Sequence, residues 1–408
     1  MNNLLIVLTD KYPFGQGETF VEAERLYWER AFDSILICPV LATAVDKLRK
    51  GFECRNKEAL IQAFDAKPTI SDSIININGF YSIGTQLKEI REATELQVHR
   101  VKSIVATAVY SNMRHERILN EILKRIDIND GYQICVYAYW MYEPALVGAA
   151  LCKDLKAKHF ISRAHGYDLY EERQPYHYFP FRQFVLEQLD GIYPISEDGK
   201  QYLCRKYPRV KSKVAVARLG TVKLYNDIVS AKTERSLVLV SCSNLVPLKR
   251  VGRIIGVLSQ MQQPVHWYHF GDGELREELE KQAKMLPNNI ESTFMGRIPN
   301  DKVQKFYSEN FIDAFINVSE TEGIPVSIME AQSYGIPIIA TDVGGTHEIV
   351  HDGVNGALLK SDFTDKDFLD ALNQVLDNMA KFRVESRKIW NQMSNANINY
   401  SLFFGLKT

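Results

Sequence analysis

Short apolar runs alternate with longer polar, helix-favouring stretches along this chain, and the alternation predicts strands and helices in turn. Residues 4–8 read as a strand, followed by the loop 9–17, a helix from about Glu18 to Arg30 and a second strand over 34–39. Residues 41–130 carry less pattern. They include a stretch from about 86 to 125 that is long enough for two helices, with Ile104, Ala108 and Met113 recurring at helical spacing. Further strands fall at 133–138, 158–163 and 191–195, and Ser196 after the last is a helix N-cap. A polar stretch without periodicity, 222–234, reads as a linker. The alternation then restarts, with strands at 236–241, 265–270, 291–295, 311–318 and 336–340, a Glu/Lys/Leu-rich helix at 274–285, and a helical tail from Thr364. Two such series predict an α/β protein of two facing, doubly wound parallel-sheet domains with a cleft between them. The expected boundaries are 1–222, with 41–130 as a helical elaboration, 235–385, and a tail 386–408 packing at the domain junction.

Composition narrows the function classes. The chain has 408 residues, enough for two large cores, and a net charge of −1, which gives no argument for nucleic acid, and no nucleic-acid partner is expected. Its six cysteines are scattered, with neither a Cys-x-x-Cys nor zinc-ligand spacing, so a reduced cytoplasmic setting fits best. The N-terminal apolar run is short and lacks basic residues before it, as expected of a first strand rather than a signal peptide. No uninterrupted apolar run approaches the ~20 residues that span a bilayer. Attachment to the inner face of the plasma membrane stays compatible with the sequence, and the oligomeric state is not legible in it.

The chemistry concentrates between two apolar runs, in Glu322-Gly-Ile-Pro-Val-Ser-Ile-Met-Glu330 and the Gly335-Ile-Pro337 that follows. The pattern reads as strand, tight loop, helix, strand. Gly323 lets backbone approach a ligand, and Pro325 suits the first turn of a helix. The amides near Ile324 and Val326 then point towards an anion at the mouth of a parallel sheet. Carboxylates at Glu322 and Glu330 suit sugar or ribose hydroxyls, which donate hydrogen bonds. Two glutamates eight positions apart would by themselves be solvated helix charges; the Gly-x-Pro motifs beside them shift the balance towards a site.

The pattern Glu322-Gly-x-Pro-x-x-x-x-Glu330-Ala, continued by Gly335-x-Pro337, Val343-Gly-Gly-Thr-His-Glu348 and Asp352-Gly-Val-Asn-Gly356, closely resembles the C-terminal signature of retaining, nucleotide-sugar-dependent glycosyltransferases of family 4, whose fold is called GT-B. The resemblance is specific from about 238 to 359, weaker over 1–40 and 159–221, and absent over 41–130. Ser243-Asn-Leu-Val-Pro-Leu-Lys-Arg250 resembles the loop in which an Arg and a Lys hold the donor diphosphate. Lys249 matches the Lys. Asn244 stands where the family usually has Arg, so one phosphate-binding cation is missing, and Arg250 or a basic residue of the other domain is expected to compensate. Gly296-Arg-Ile-Pro299 resembles the loop around the nucleobase, where Arg297 either pairs a base edge or phosphate or sits on the surface. Gly344 and Gly345 resemble the turn beside ribose and diphosphate. In the first domain, Gly15 and Gly17 resemble the Gly-rich loop facing the donor phosphates, and Glu18-Thr19-Phe20 is similar to the subset that builds bacterial polysaccharides. His165, in Arg163-Ala-His-Gly-Tyr-Asp168, matches the histidine that contacts the donor sugar. Arg163 and Asp168 are second-rank candidates, and Tyr139 and Trp140 are candidate acceptor-side aromatics.

The resemblance implies that His165, Glu322 and Lys249 carry catalysis, that Glu330 takes the ribose, and that a nucleoside diphosphate sugar donates to a glycan or lipid-linked saccharide. No cofactor and no metal is expected, for lack of an Asp-x-Asp dyad of the metal-binding kind. A sugar-nucleotide epimerase, a phosphorylase, or a non-catalytic subunit of a glycan-synthesis complex are the alternatives on the same fold.

Overall fold

The computed structural model describes residues 2–15, 17–49, 52, 98–127, 131–228 and 236–406. Contacts divide the chain into two units, Met1–Ala217 with Phe403–Lys407, and Arg218–Leu402.

The first unit is a five-stranded sheet in the order β2-β1-β3-β4-β5, formed by β1 (Asn3–Thr9), β2 (Ser34–Pro39), β3 (Gln133–Ala138), β4 (His159–Ala164) and β5 (Gly191–Pro194). Every pairing is parallel. Leu4 to Leu8 and Val136 to Ala138 are all buried, because helices cover both faces of a parallel sheet and leave no polar side. The helices are α1 (Val21–Ala31), α2 (Val98–Leu123), α3 (Glu143–Asp154), the single turn α4 (Gly166–Leu169), α5 (Arg182–Gln188) and α6 (Glu197–Lys206). Ser196 caps α6, its Oγ accepting from the Gly199 amide at 3.0 Å. Ile104, Ala108 and Met113 are buried, as their spacing predicted.

Two expectations change here, and a third is met only over the described residues. The first helix begins at Val21, not Glu18, because Glu18 sits at φ +56 and turns its carboxylate back on the loop before it. The described part of 86–125 holds one helix of 26 residues; residues 86–97 lie outside the described residues, as does most of 41–97. The expected linker is not loose where it is described. Leu224 N donates to Gln304 Oε1 at 3.1 Å and Ile228 N to Ser308 O at 3.0 Å, so the segment is bonded to the second unit. Residues 229–234 lie outside the described residues.

The second unit is a six-stranded parallel sheet in the order β11-β10-β9-β6-β7-β8. Its strands are β6 (Leu237–Cys242), β7 (Val265–Phe270), β8 (Ile290–Gly296), β9 (Ala314–Asn317), β10 (Ile338–Thr341) and β11 (Gly356–Leu359). The helices are α7 (Val251–Leu258), α8 (Arg276–Ala283), α9 (Asn300–Glu309), α10 (Val326–Ser333), α11 (Asp365–Asp377), α12 (Met379–Met393) and α13 (Ala396–Phe403). Asp365 and Asp367, an Asp-x-Asp pair, are taken up in starting α11: Thr364 and Asp367 cap each other through bonds of 2.7–3.2 Å. The end of the chain returns to the first unit. Phe403 lies 5.9 Å from Tyr137 and 5.0 Å from Tyr193, ring centre to ring centre.

The strand orders fix where ligands belong. From β1 the first sheet runs one way to β2 and the other way to β3; from β6 the second runs to β7 on one side and β9 on the other. Each is a topological switch point, and the loops leaving the two flanking strands diverge and open a crevice at their carboxyl ends.

Candidate active site

In the second unit that crevice brings together the loops after β6 and β9. Lys249 closes a short 3₁₀ turn, and its Nζ stands 2.5 Å from Oε1 of Glu322. Asn317, the last residue of β9, donates its side-chain amide to the same oxygen at 3.3 Å. The turn after β10 holds this loop in place. Gly344 has φ +53, and a Cβ there would stand 2.0 Å from the Glu322 carbonyl oxygen, so only glycine fits. Gly345 N donates to Gly323 O at 2.7 Å. Pro325 is the N-cap residue of α10 rather than a member of its first turn, and no side chain caps that helix. The chain therefore presents Gly323, the buried Ile324, Pro325 and the opening amide of Val326 as a backbone-lined end of a helix dipole, next to a lysine and a carboxylate.

Glu330, on α10, is not part of the Lys249–Glu322 pair. Its Oε1 accepts from Asn300 Nδ2 at 2.7 Å. Burial pushes its carboxyl up to about 7, and the Asn300 bond pulls the other way. Arg250 also departs from expectation. Its guanidinium donates to the carbonyls of Val318 at 2.7 Å, Ser319 at 3.3 Å and Ser361 at 2.6 Å, so it ties the β6 and β9 loops together instead of facing a ligand. Asn244 and Arg297 are brought together: Arg297 donates to Asn244 Oδ1 at 3.3 Å.

The crevice of the first unit is built around Glu18, a residue that the sequence places in a motif without assigning it a role. Glu18 accepts from the amides of Asp10, Lys11 and Tyr12 at 3.1, 2.8 and 2.7 Å, and from Trp140 Nε1 at 2.6 Å. It thus folds the Gly-rich loop onto the end of β3. Gly15 has φ +66, whereas at Gly17 a Cβ would meet nothing within 4 Å, so the protein itself does not require glycine there. His165 is 6% exposed, with its ring 4.9 Å from Tyr139 and 4.5 Å from Trp140. Its Nδ1 faces Asp168, 3.7 Å from Oδ1, and its Nε2 has no hydrogen-bond partner among the described residues. Buried polar atoms in that state are uncommon and mark places where a ligand or water completes the bonding.

Asp10 was also missed. It follows β1 directly, and its Oδ2 accepts from Tyr142 Oη at 2.5 Å. Burial pushes its carboxyl up to about 7; Glu18 and Asp168 add to the shift, while the Tyr142 bond and Arg114 oppose it. The second-rank candidates prove structural. Asp168 spends its carboxylate on the amides of Met141 and His165, both at 2.6 Å. Arg163 is fully buried, 3.2 Å from Glu24 and 2.8 Å from Tyr137 Oη, with Phe403 packed on its guanidinium. No group of three His, Cys, Asp or Glu suited to a metal ion occurs among the described residues.

Two Rossmann-like parallel-sheet units define the fold as GT-B, the class of a set of solved glycosyltransferases. The lipopolysaccharide outer core galactosyltransferase WaaB matches 99% of this chain and 100% of its own at a TM-score of 0.66 and 16% identity. Anabaena Alr3699/HepE, solved in complex with UDP and glucose, matches 99% of this chain and 98% of its own at 0.63 and 16%. Within that fold, residues 226–395 match the family model described as Glycosyl transferases group 1. The O-antigen biosynthesis glycosyltransferase WbnH of Escherichia coli is 31% identical over 139 residues, 34% of this chain and 37% of WbnH. The Vi polysaccharide biosynthesis protein VipC/TviE of Salmonella typhi is 32% identical over 122 residues, 29% of this chain and 18% of that protein. The matched stretch thus spans little more than a third of these curated relatives at most.

Proposed function

We infer that the protein is a retaining glycosyltransferase that moves a sugar from a nucleoside diphosphate sugar to a hydroxyl of a glycan or lipid-linked saccharide, in bacterial surface polysaccharide biosynthesis at the cytoplasmic side of the membrane. The observation that carries this reading is the Lys249–Glu322 pair at the switch point of the second sheet, beside the uncapped start of α10. The group 1 match over the same residues and the O-antigen and Vi polysaccharide relatives support it. Retention and family 4 membership rest on the Glu322–Glu330 signature.

The chemistry follows from charge. Breaking the bond between the anomeric carbon and the diphosphate oxygen places negative charge on the leaving group and positive character on the sugar. Lys249 and the first amides of α10 stabilise the leaving diphosphate. In the free protein Lys249 is held by Glu322, so its ammonium is already positioned when the diphosphate arrives. Glu322 then turns to the sugar hydroxyls and Glu330 to the ribose. The acceptor hydroxyl attacks the anomeric carbon on the face that the diphosphate leaves, and its proton passes to a leaving phosphate oxygen, so no protein base is required. His165, whose Nε2 has no partner among the described residues, supplies a bond to a sugar hydroxyl. The first unit takes the acceptor. Charge stabilisation by Lys249 and backbone amides does not call for a metal, and activity is expected to persist in EDTA.

A thermal-shift screen of UDP, GDP and ADP and their sugars tests the reading. One diphosphate should raise the melting temperature by several degrees, and Lys249→Ala should abolish the rise. A flat response to all of them would refute it.

A further inference from the structure

We propose that Arg297, aimed by Asn244, is the second cation of a diphosphate site whose first cation is Lys249; this rests on the nucleotide-sugar reading above. β6 and β8 are not neighbours, since β7 lies between them, so residues after their carboxyl ends start about 10 Å apart. They meet because the loop after β7 is pressed flat. Gly271 sits at φ +137, where a Cβ would be 1.8 Å from Ser243 O, and a Cβ at Gly273 would be 2.3 Å from Leu245 O. With no side chain in the way, Arg297 reaches across to Asn244 Oδ1. Its own base is fixed: Gly296, at φ +70, accepts from Gly271 N at 3.0 Å.

The partners of the neighbouring cations single Arg297 out. Arg250 is consumed by three carbonyls. Arg276 is paired with Asp272 at 3.3 Å and Glu280 at 2.8 Å. Lys249 faces Glu322. Arg297 is exposed, and its bond to Asn244 goes to a neutral amide, which orients the guanidinium without cancelling its charge. An aspartate at 244 would orient it equally well and neutralise it. A planar, always-charged fork suits a phosphate, and two cations on separate loops suit a group with two phosphates better than a group with one. Asn244 is then a positioning residue, and the cation missing from its loop is supplied by the loop after β8.

Calorimetric titration of the full chain with UDP, GDP and ADP, and with the matching monophosphates, tests this. Arg297→Gln should weaken the bound diphosphate by about 10- to 100-fold, the scale of one charge-assisted bond, and its monophosphate by less than about threefold. Asn244→Arg placed on Arg297→Gln should recover most of the loss. Diphosphate affinity unchanged in Arg297→Gln, or an equal loss for mono- and diphosphate that puts Arg297 at the base, would overturn the proposal while leaving the glycosyltransferase reading intact. A wild-type chain that binds none of the three diphosphates would overturn both.

Discussion

Glu330 shows how a single carboxyl can be costly to the fold that carries it. Its carboxyl is held up at about 7, against an ordinary 4.5, because burial disfavours the charged form. Between those values the folded chain binds more protons at this site than the unfolded chain does. The stability contributed there is complete below about 4.5 and is lost as pH rises towards 7. Glu330→Gln keeps an oxygen for Asn300 but has no charge to bury. It should melt above wild type at pH 8, with the gap closing towards pH 5, in thermal melts recorded across that range; an equal gap at both ends would contradict the assignment. At this scale the sequence was informative wherever a motif specified backbone: the Gly344 and Gly345 turn and the Lys249 and Glu322 positions could all be named in advance. It was uninformative where an arginine's direction decides its use. Arg250 and Arg297 look alike as letters, yet one is spent on carbonyls and the other is turned outward.

The loop from Asp10 to Glu18 is the element on which the first unit's crevice depends. A single carboxylate, reached through a left-handed backbone at Glu18, takes three consecutive amides and the Trp140 indole. Glu18→Gln keeps one oxygen acceptor and points an NH₂ at groups that are themselves donors. It should cost roughly 1–3 kcal/mol of stability in denaturant unfolding and change the fluorescence of Trp140. A variant with wild-type stability and emission would show that the loop holds itself. None of this was legible beforehand. By composition Glu18 suits the start of a helix, and the positive φ that sends its carboxylate backward depends on tertiary contacts. Strands fared better, since long buried apolar runs such as residues 4–8 admit few other readings. The short helices α7 and α9 and the edge strand β11 were not named in advance, being too brief for periodicity to speak.

At the scale of the whole molecule, two separate β/α series predicted two parallel-sheet units, and two are present. Their functional legibility is unequal. The second unit carries the family match over 226–395, and Lys249 and Glu322 meet within it. The first is known through its fold and a cluster of aromatic and acidic side chains, Trp140, Tyr142, Asp10 and His165, that local sequence does not connect because they come from three different strand ends. The proposed function gives acceptor chemistry to that unit and donor chemistry to the other. The most direct test of the account follows a stabilising nucleotide sugar by proton NMR with the full chain, in EDTA and without a glycan acceptor, so that water takes the acceptor's place. A retaining transferase should slowly release nucleoside diphosphate together with free sugar that appears first in the anomeric configuration of the donor. First appearance of the opposite anomer, a sugar altered while still attached to its nucleotide, or no release at all would contradict it.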